Sequence, residues 1–228
     1  MSETAVQKRA VDAALRTLLT GLLVAIAALV VFAWIADLIG RGGVLDFDNY
    51  IRALVHRHSS PALTRIMLGF SVVGSPAYMI VLGCAAVVHF VRSGRPRTAI
   101  LFVITVLGAE LLDQVLKLLF HRTRPVAFFG LAQPMGYSFP SGHSLVSCAF
   151  FGVLATFAAA RTKKNALRWT YRLSAALLIA AIGISRIYLG VHYPSDVIAG
   201  YLAALVWVFS VASARRWMRR ARGLRPSS

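Results

Sequence analysis

Residues 173–214 read LSAALLIAAIGISRIYLGVHYPSDVIAGYLAALVWVFSVASA, two apolar runs joined through Ser185-Arg186, His192 and Tyr193-Pro194-Ser195-Asp196. Each run approaches the roughly 20 apolar residues that a helix needs to cross a bilayer. Pro194 and Ser195 mark a new helix start, and Asp196 falls in its first turn. Arg186, His192 and Asp196 therefore sit at the ends of apolar segments.

The pattern recurs along the chain. Six spans are expected, at 18–39, 75–92, 98–120, 143–160, 173–190 and 196–214. Gly74-Ser75-Pro76 interrupts the start of the second. Before it, Arg41 to Ser71 is a mixed stretch with Asp46, Asp48, His56 and His58, and Ala62 to Val73 reads as a helix lying on the membrane surface. The expected fold is an all-α polytopic membrane helix bundle with six transmembrane helices. It forms one membrane-embedded domain, 1–228, ending in a basic tail over 215–228.

Composition agrees. The chain is 58% hydrophobic and 14% charged, where soluble domains carry about a quarter charged residues. The formal charge of +17 would raise nucleic acid as a partner for a soluble protein. Here the basic residues lie between and beyond the spans, where headgroups and topology account for them. No nucleic-acid-binding motif is present, and no nucleic acid partner is expected. Cys84 and Cys148 lie inside apolar runs and read as packing residues. The first run, Leu18 to Ile39, exceeds a signal-peptide core of roughly 7–15 residues, and Ala33-Trp34-Ile35 lacks the small-x-small cleavage pattern. It reads as an uncleaved span.

Lys and Arg counts orient the bundle. The N-terminal segment, 92–97, 161–172 and the tail place 17 basic residues on one side, against 8 on the other. The richer side is expected to be cytoplasmic, with both termini inside. Three motifs then share the outer face.

The first motif is Lys117…Arg124-Pro125. At 100° per residue, positions 110, 113, 117, 121 and 124 lie on one helical face, which puts Lys117 and Arg124 roughly 10 Å apart on one stripe. Pro125 stops the helix. Alone, the pair would suit two basic side chains reaching the interface; convergence with the other motifs favours phosphate binding. Asp113, four residues before Lys117, is read as positioning it, and Glu110 as a structural polar contact.

The second motif, Pro140-Ser141-Gly142-His143, opens the fourth span. Ser141 is a natural N-cap, and Gly142 lets the backbone approach a ligand at the positive end of the helix. A plain helix start explains Pro-Ser-Gly but not His143 at the membrane edge.

The third motif is Ser185-Arg186…His192…Asp196. Asp196 has an ordinary reading as a first-turn acid. Four residues after His192, it would also hold that imidazole in one tautomer. On spacing alone either histidine would serve as nucleophile; the Asp196 partner tips the choice to His192. Such a scheme needs one protonated and one neutral ring, so a mildly acidic to neutral optimum is expected. His56, His58 and His89 read as loop or interface residues, and His121 shares the Lys117 stripe. No metal-ligand spacing is present, so neither a metal nor another cofactor is expected.

At these residues the chain resembles the type-2 phosphatidic acid phosphatase superfamily, the lipid phosphate phosphatases related to vanadium haloperoxidases. Its signature, Lys-x6-Arg-Pro, Pro-Ser-Gly-His and Ser-Arg-x5-His-x3-Asp, is matched at every position within 117–196. The resemblance implies that His192 attacks phosphorus, Asp196 orients it and His143 protonates the leaving oxygen. It further implies that Lys117, Arg124, Arg186, Ser141 and the Gly142 N–H bind phosphate. Undecaprenyl diphosphate, phosphatidic acid and phosphatidylglycerol phosphate are the expected substrate class. A phosphotransferase using the same intermediate is the alternative, followed by a non-catalytic lipid-phosphate binder or translocator. A haloperoxidase would need vanadate in a site that faces lipid. Phe128, Phe129, Met135, Tyr137 and Phe139 are expected at the mouth. No feature of the chain specifies an oligomeric state.

Overall fold

The computed structural model describes the backbone of residues 3–223 and the side chains of residues 18–218. Lys8, Arg9 and Arg16, and the part of the basic tail beyond residue 218, lie outside the described side chains. The described residues form eight helices and no strand: α1 (Glu3–Gly40), α2 (Leu45–Arg57), α3 (Pro61–Val73), α4 (Pro76–Arg92), α5 (Pro96–Phe120), α6 (Gly142–Ala159), α7 (Asn165–Tyr188) and α8 (Pro194–Gly223). Four of them begin on proline, whose fixed φ and missing N–H suit the first helical position, so these boundaries are local in origin. Ser60 and Ser75 cap α3 and α4, their hydroxyls accepting from the Leu63 and Tyr78 N–H groups.

Among the described residues, five helices are each long and apolar enough to span a membrane: Leu18–Gly40 of α1, then α5, α6, α7 and Pro194–Met218 of α8. The chain is an integral membrane protein. The expected span over 75–92 is the exception, because α4 has 17 residues and qualifies only together with α3, across a 51° bend. The helix expected over 62–73 is α3, and its Leu63 and Met67 pack against Tyr188, Leu189 and Val191 at the end of α7. The two apolar pieces on either side of Gly74-Ser75-Pro76 thus form a bent pair, with the geometry of a broken span or a re-entrant loop.

α6 is the centre of the bundle, with 44% of its span buried against 17% for α1. Small residues let backbones approach where lipid removes any hydrophobic drive between helices. Ala109 of α5, Ala149 of α6, and Ala203 and Ala204 of α8 form one such seam. Trp207 closes it by donating its Nε1–H to the Thr105 carbonyl at 2.8 Å. A second, aromatic cluster joins α4, α5 and α6 through Phe90, Phe102 and Phe150.

The α3–α4 break lies against the far end of this core. A Cβ placed on Gly74 would come within 2.5 Å of Ile182 Cγ2 and 3.1 Å of His143 Cδ2. Gly74→Val is therefore expected to cost about 1–3 kcal/mol through overpacking. Gly69→Ala, where a Cβ meets nothing within 4 Å, should be neutral or slightly stabilising. Thermal unfolding in detergent checks both; equal loss in the two variants would contradict this packing.

Candidate active site

The C-termini of α5 and α7 and the N-termini of α6 and α8 converge at one end of the bundle. Between them lies a cleft of about 170 Å³ whose wall includes Lys117, Arg124, Gly142, His143, Arg186 and His192. All three sequence motifs thus contribute to one cleft. A larger cavity of about 720 Å³ opens at the opposite end between Phe90, Arg95, Phe157 and Arg161. It contains no motif residue, so size alone would misplace the site.

Lys117 lies in the last turn of α5, its Nζ 2.6 Å from Asp113 Oδ2, the pairing read from the sequence. Glu110 accepts from Gln114 Nε2 at 3.0 Å. The reading of Lys117 and Arg124 as one helical stripe does not hold. α5 ends at Phe120, and His121 turns into the left-handed region at φ 48°. Pro125 further disfavours helical geometry at the residue before it. Arg124 therefore lies on a non-helical strap that leads back across the cleft. Its Nε donates to the Gly136 carbonyl at 3.0 Å and its Nη1 to the Val191 carbonyl at 3.2 Å.

At the start of α6, the Ser141 hydroxyl makes no cap bond. It is fully buried and accepts from the Ser144 hydroxyl at 3.1 Å, so it is turned away from the cleft wall. Gly142 sits against α5: a Cβ there would lie 2.7 Å from Asp113 Oδ2. His143 hydrogen-bonds the backbone of Ser71 in α3.

Arg186 is buried and bonded through Nη1 to the Ser71 hydroxyl, while its Nε–H has no partner. Among the described residues neither Arg124 nor Arg186 forms an ion pair with a carboxylate. Buried cations without counter-charge favour an anionic ligand.

The buried His192 ring is held at both nitrogens. Arg124 Nη1 lies 3.0 Å from Nε2. A guanidinium only donates, so Nε2 must accept and the ring proton must sit on Nδ1. Nδ1 faces Asp196 Oδ2 at 3.4 Å and the Ser138 hydroxyl at 3.5 Å. Burial pushes the His192 imidazolium down to about 4; the bond to Asp196 opposes this, and Arg124 and Arg186 add to it. The ring is therefore neutral at physiological pH, with a lone pair turned into the cleft.

Asp196 Oδ2 also accepts from the Ser138 hydroxyl at 2.5 Å and the Tyr193 N–H at 2.9 Å. Oδ1 accepts from Arg122 Nη1 at 2.6 Å. The sequence reading assigns no site role to Ser71, Ser138 or Arg122. Arg122 was legible in principle, being a third cation within the Lys117–Pro125 motif. Ser71 and Ser138 give no signal, because their partners come from distant elements.

The mouth differs from expectation. Phe139 is fully buried and packs on Phe32 and Phe120. Phe128 stacks on His56 and Phe129 on Tyr188. Tyr137 meets His121 edge-on. Met135 is 96% exposed. An apolar groove of about 550 Å³ leads away between α4 and α5, sharing Pro76, Met79, Glu110 and Val146 with the cleft. Among the described residues, no three His, Cys, Asp or Glu side chains group so as to hold a metal ion.

The ordinary histidine value lies near ~6.5, so His192 is expected to keep its neutral Nδ1–H form as pH falls from 7 to 5. The depressed value makes its contribution to stability complete above about 6.5 and lost as pH falls toward the folded value. Nitrogen-15 spectra of histidine-labelled protein, assigned with His192→Gln, check this. Protonation of His192 near pH 6.5 would contradict the described burial.

Comparison with known proteins accords with this geometry. The model of the PAP2 superfamily matches residues 98–220, a range that contains all three motifs. Phosphatidylglycerophosphatase B of Bacillus subtilis is 29% identical over 84% of this chain and 94% of its own length. Undecaprenyl-diphosphatase of Sulfolobus acidocaldarius is 30% identical over 72% of this chain and 77% of its own. The crystal structure of the transmembrane PAP2-type phosphatidylglycerolphosphate phosphatase from Bacillus subtilis superposes with a TM-score of 0.79 at 26% identity, covering 86% of this chain and 98% of that one. With its motifs gathered in one cleft at the end of a matching helix bundle, the chain belongs to the PAP2 superfamily of membrane phosphatases.

Proposed function

We propose that the chain hydrolyses a membrane lipid phosphate or diphosphate through a phospho-histidine at His192, on the outer membrane face, and that residues 1–228 act as one domain. The observation that carries this reading is the pairing of a neutral, buried His192 with Arg124 and Arg186, two cleft cations that lack carboxylate partners.

A phosphate entering between these groups takes N–H donors from Arg124, Arg186 and Lys117 and from the backbone at Gly142. Drawing Arg124 toward the phosphate frees the Nε2 lone pair. Nε2 then attacks phosphorus, the bond to the leaving oxygen breaks, and His143 gives that oxygen a proton. The Nδ1 proton stays in place, held by Asp196, whose charge offsets the imidazolium that forms. Water then attacks phosphorus, His143 takes its proton, and the P–N bond breaks to release phosphate. The three cations supply the charge stabilisation that other phosphoryl-transfer sites draw partly from magnesium.

The apolar groove beside Glu110 suits a prenyl or acyl tail that stays in lipid while its phosphate enters the cleft. The two named relatives support this substrate class, one named for phosphatidylglycerophosphate and the other for undecaprenyl diphosphate. An outer-face site with both termini cytoplasmic follows from the distribution of 17 basic residues against 8.

Phosphate release by the purified protein in EDTA, from a panel of lipid phosphates and diphosphates, tests the proposal. Wild type should release phosphate without added metal. His192→Ala and His143→Ala should each lose about 10²-fold or more. Release that survives His192→Ala would overturn the scheme. Phosphate appearing on an added alcohol in place of solution would favour a phosphotransferase.

A further inference from the structure

α2 belongs to none of the signature motifs, yet it sends a carboxylate to the base of the site. Asp48 is fully buried. Its Oδ1 accepts from the Ser195 N–H at 2.9 Å, and its Oδ2 accepts from the Ser195 hydroxyl at 2.5 Å and Arg122 Nη2 at 2.7 Å. Arg122 Nη1 in turn reaches Asp196 Oδ1 at 2.6 Å and Ser195 Oγ at 2.8 Å. One guanidinium fork thus bridges two buried carboxylates, a geometry that the single ammonium of lysine cannot reproduce.

Charge balance is met locally. The second cation is Arg52, also from α2, which donates to the Val126 and Gly190 carbonyls at 2.8 and 3.2 Å. The Tyr193 ring packs against both guanidinium groups, 4.1 Å from Arg122 and 5.3 Å from Arg52. Two acids and two arginines therefore surround Tyr193, the residue between His192 and the first turn of α8. Arg122 offsets both carboxylates directly, whereas the Arg52 Nε–H is buried without a partner.

The arrangement fixes more than the fold. Asp196 touches His192 through Oδ2 alone, at 3.4 Å. Rotation of that carboxylate would turn Oδ2 away from Nδ1 and take away the acceptor that orients the ring and offsets its charge, while Arg124 at Nε2 would still select the Nδ1–H tautomer. Arg122 opposes the rotation by holding Oδ1, as the Ser138 hydroxyl and the Tyr193 N–H do at Oδ2, and Asp48 in turn holds Arg122. We propose that Asp48, acting through Arg122 and Ser195, is a positioning residue for the nucleophile: it sets the carboxylate that sets His192. This gives the 41–71 segment a role in the rate of phosphoryl transfer. The inference rests on His192 being the nucleophile.

Asp48→Asn keeps the side-chain shape and removes the charge. It is expected to lower kcat roughly 10- to 100-fold, the size seen when outer partners of metal-bound histidines are removed. KM and competitive inhibition by inorganic phosphate, which report on ground-state binding in the Lys117, Arg124 and Arg186 pocket, should stay within about two-fold, because uniform binding is untouched. In an Asp196→Asn background the same change should have no further effect, since its route is gone. Arg122→Lys carries the test if Asp48→Asn does not fold. Asp37→Asn, on the exposed Asp37–Arg41 pair, is the control and should match wild type.

The His192 Nδ1–H bond to Asp196 supplies a readout free of turnover. Nitrogen-15 spectra should show Nδ1–H in both wild type and variant, with the Nδ1 resonance shifted in Asp48→Asn as that bond weakens. An unchanged kcat, a loss that multiplies in the Asp196→Asn background, or affinity for inorganic phosphate that falls in step with kcat would overturn the proposal. Full activity in His192→Ala would remove the nucleophile itself, and the inference with it.

Discussion

A carboxylate inside an apolar bundle is stable only when its charge is offset and its lone pairs are filled, and Asp196 is filled by Arg122, Ser138, the Tyr193 N–H and His192. These partners come from the strap after α5, the loop before α6 and the start of α8. Satisfying one buried charge therefore fixes how three segments meet. The Ser141 N–H, bonded to the Asp196 carbonyl at 3.0 Å, adds the N-terminus of α6 to the same junction. The site and the end of the bundle are held together by the same contacts.

The bent α3–α4 pair serves the other wall, where Ser71 of α3 meets both Arg186 and His143. The cleft thus has a wall carrying His192, built by the start of α8 and the strap, and a wall carrying His143 and Arg186 that is braced by α3. Lys117 stands between them, aimed by Asp113. Among the described residues the buried ion pairs lie at this end, and the rest of the bundle interior packs through alanine seams and aromatic clusters. That separation lets a highly polar site exist in a chain with only 8 acids.

Much of this was legible from the sequence. Apolar run lengths predict the helices, and proline and serine mark several of their starts. Spacing alone pairs Asp113 with Lys117 and His192 with Asp196. Other features depend on long-range contact. Arg124 leaves the helix because His121 adopts a left-handed conformation, which a 3.6-residue pattern does not reveal. The buried Phe139 looks like a mouth residue when read beside its neighbours Tyr137 and Met135. Asp48 lies 147 residues from Ser195 in the chain, and only the fold shows that they meet. Local periodicity reports on elements, whereas the partners of a buried charge are set by how the elements pack.

Rapid-quench labelling with a lipid carrying phosphorus-32 in the scissile phosphate, followed by mapping of the labelled peptide, addresses the central claim most directly. The account predicts a transient acid-labile, alkali-stable phosphoryl group on the peptide containing His192, absent from His192→Ala and persisting longer in His143→Ala if hydrolysis is slowed more than attack. Phosphate turnover with no phosphoryl-protein under any quench, or label on a residue other than His192, would contradict it.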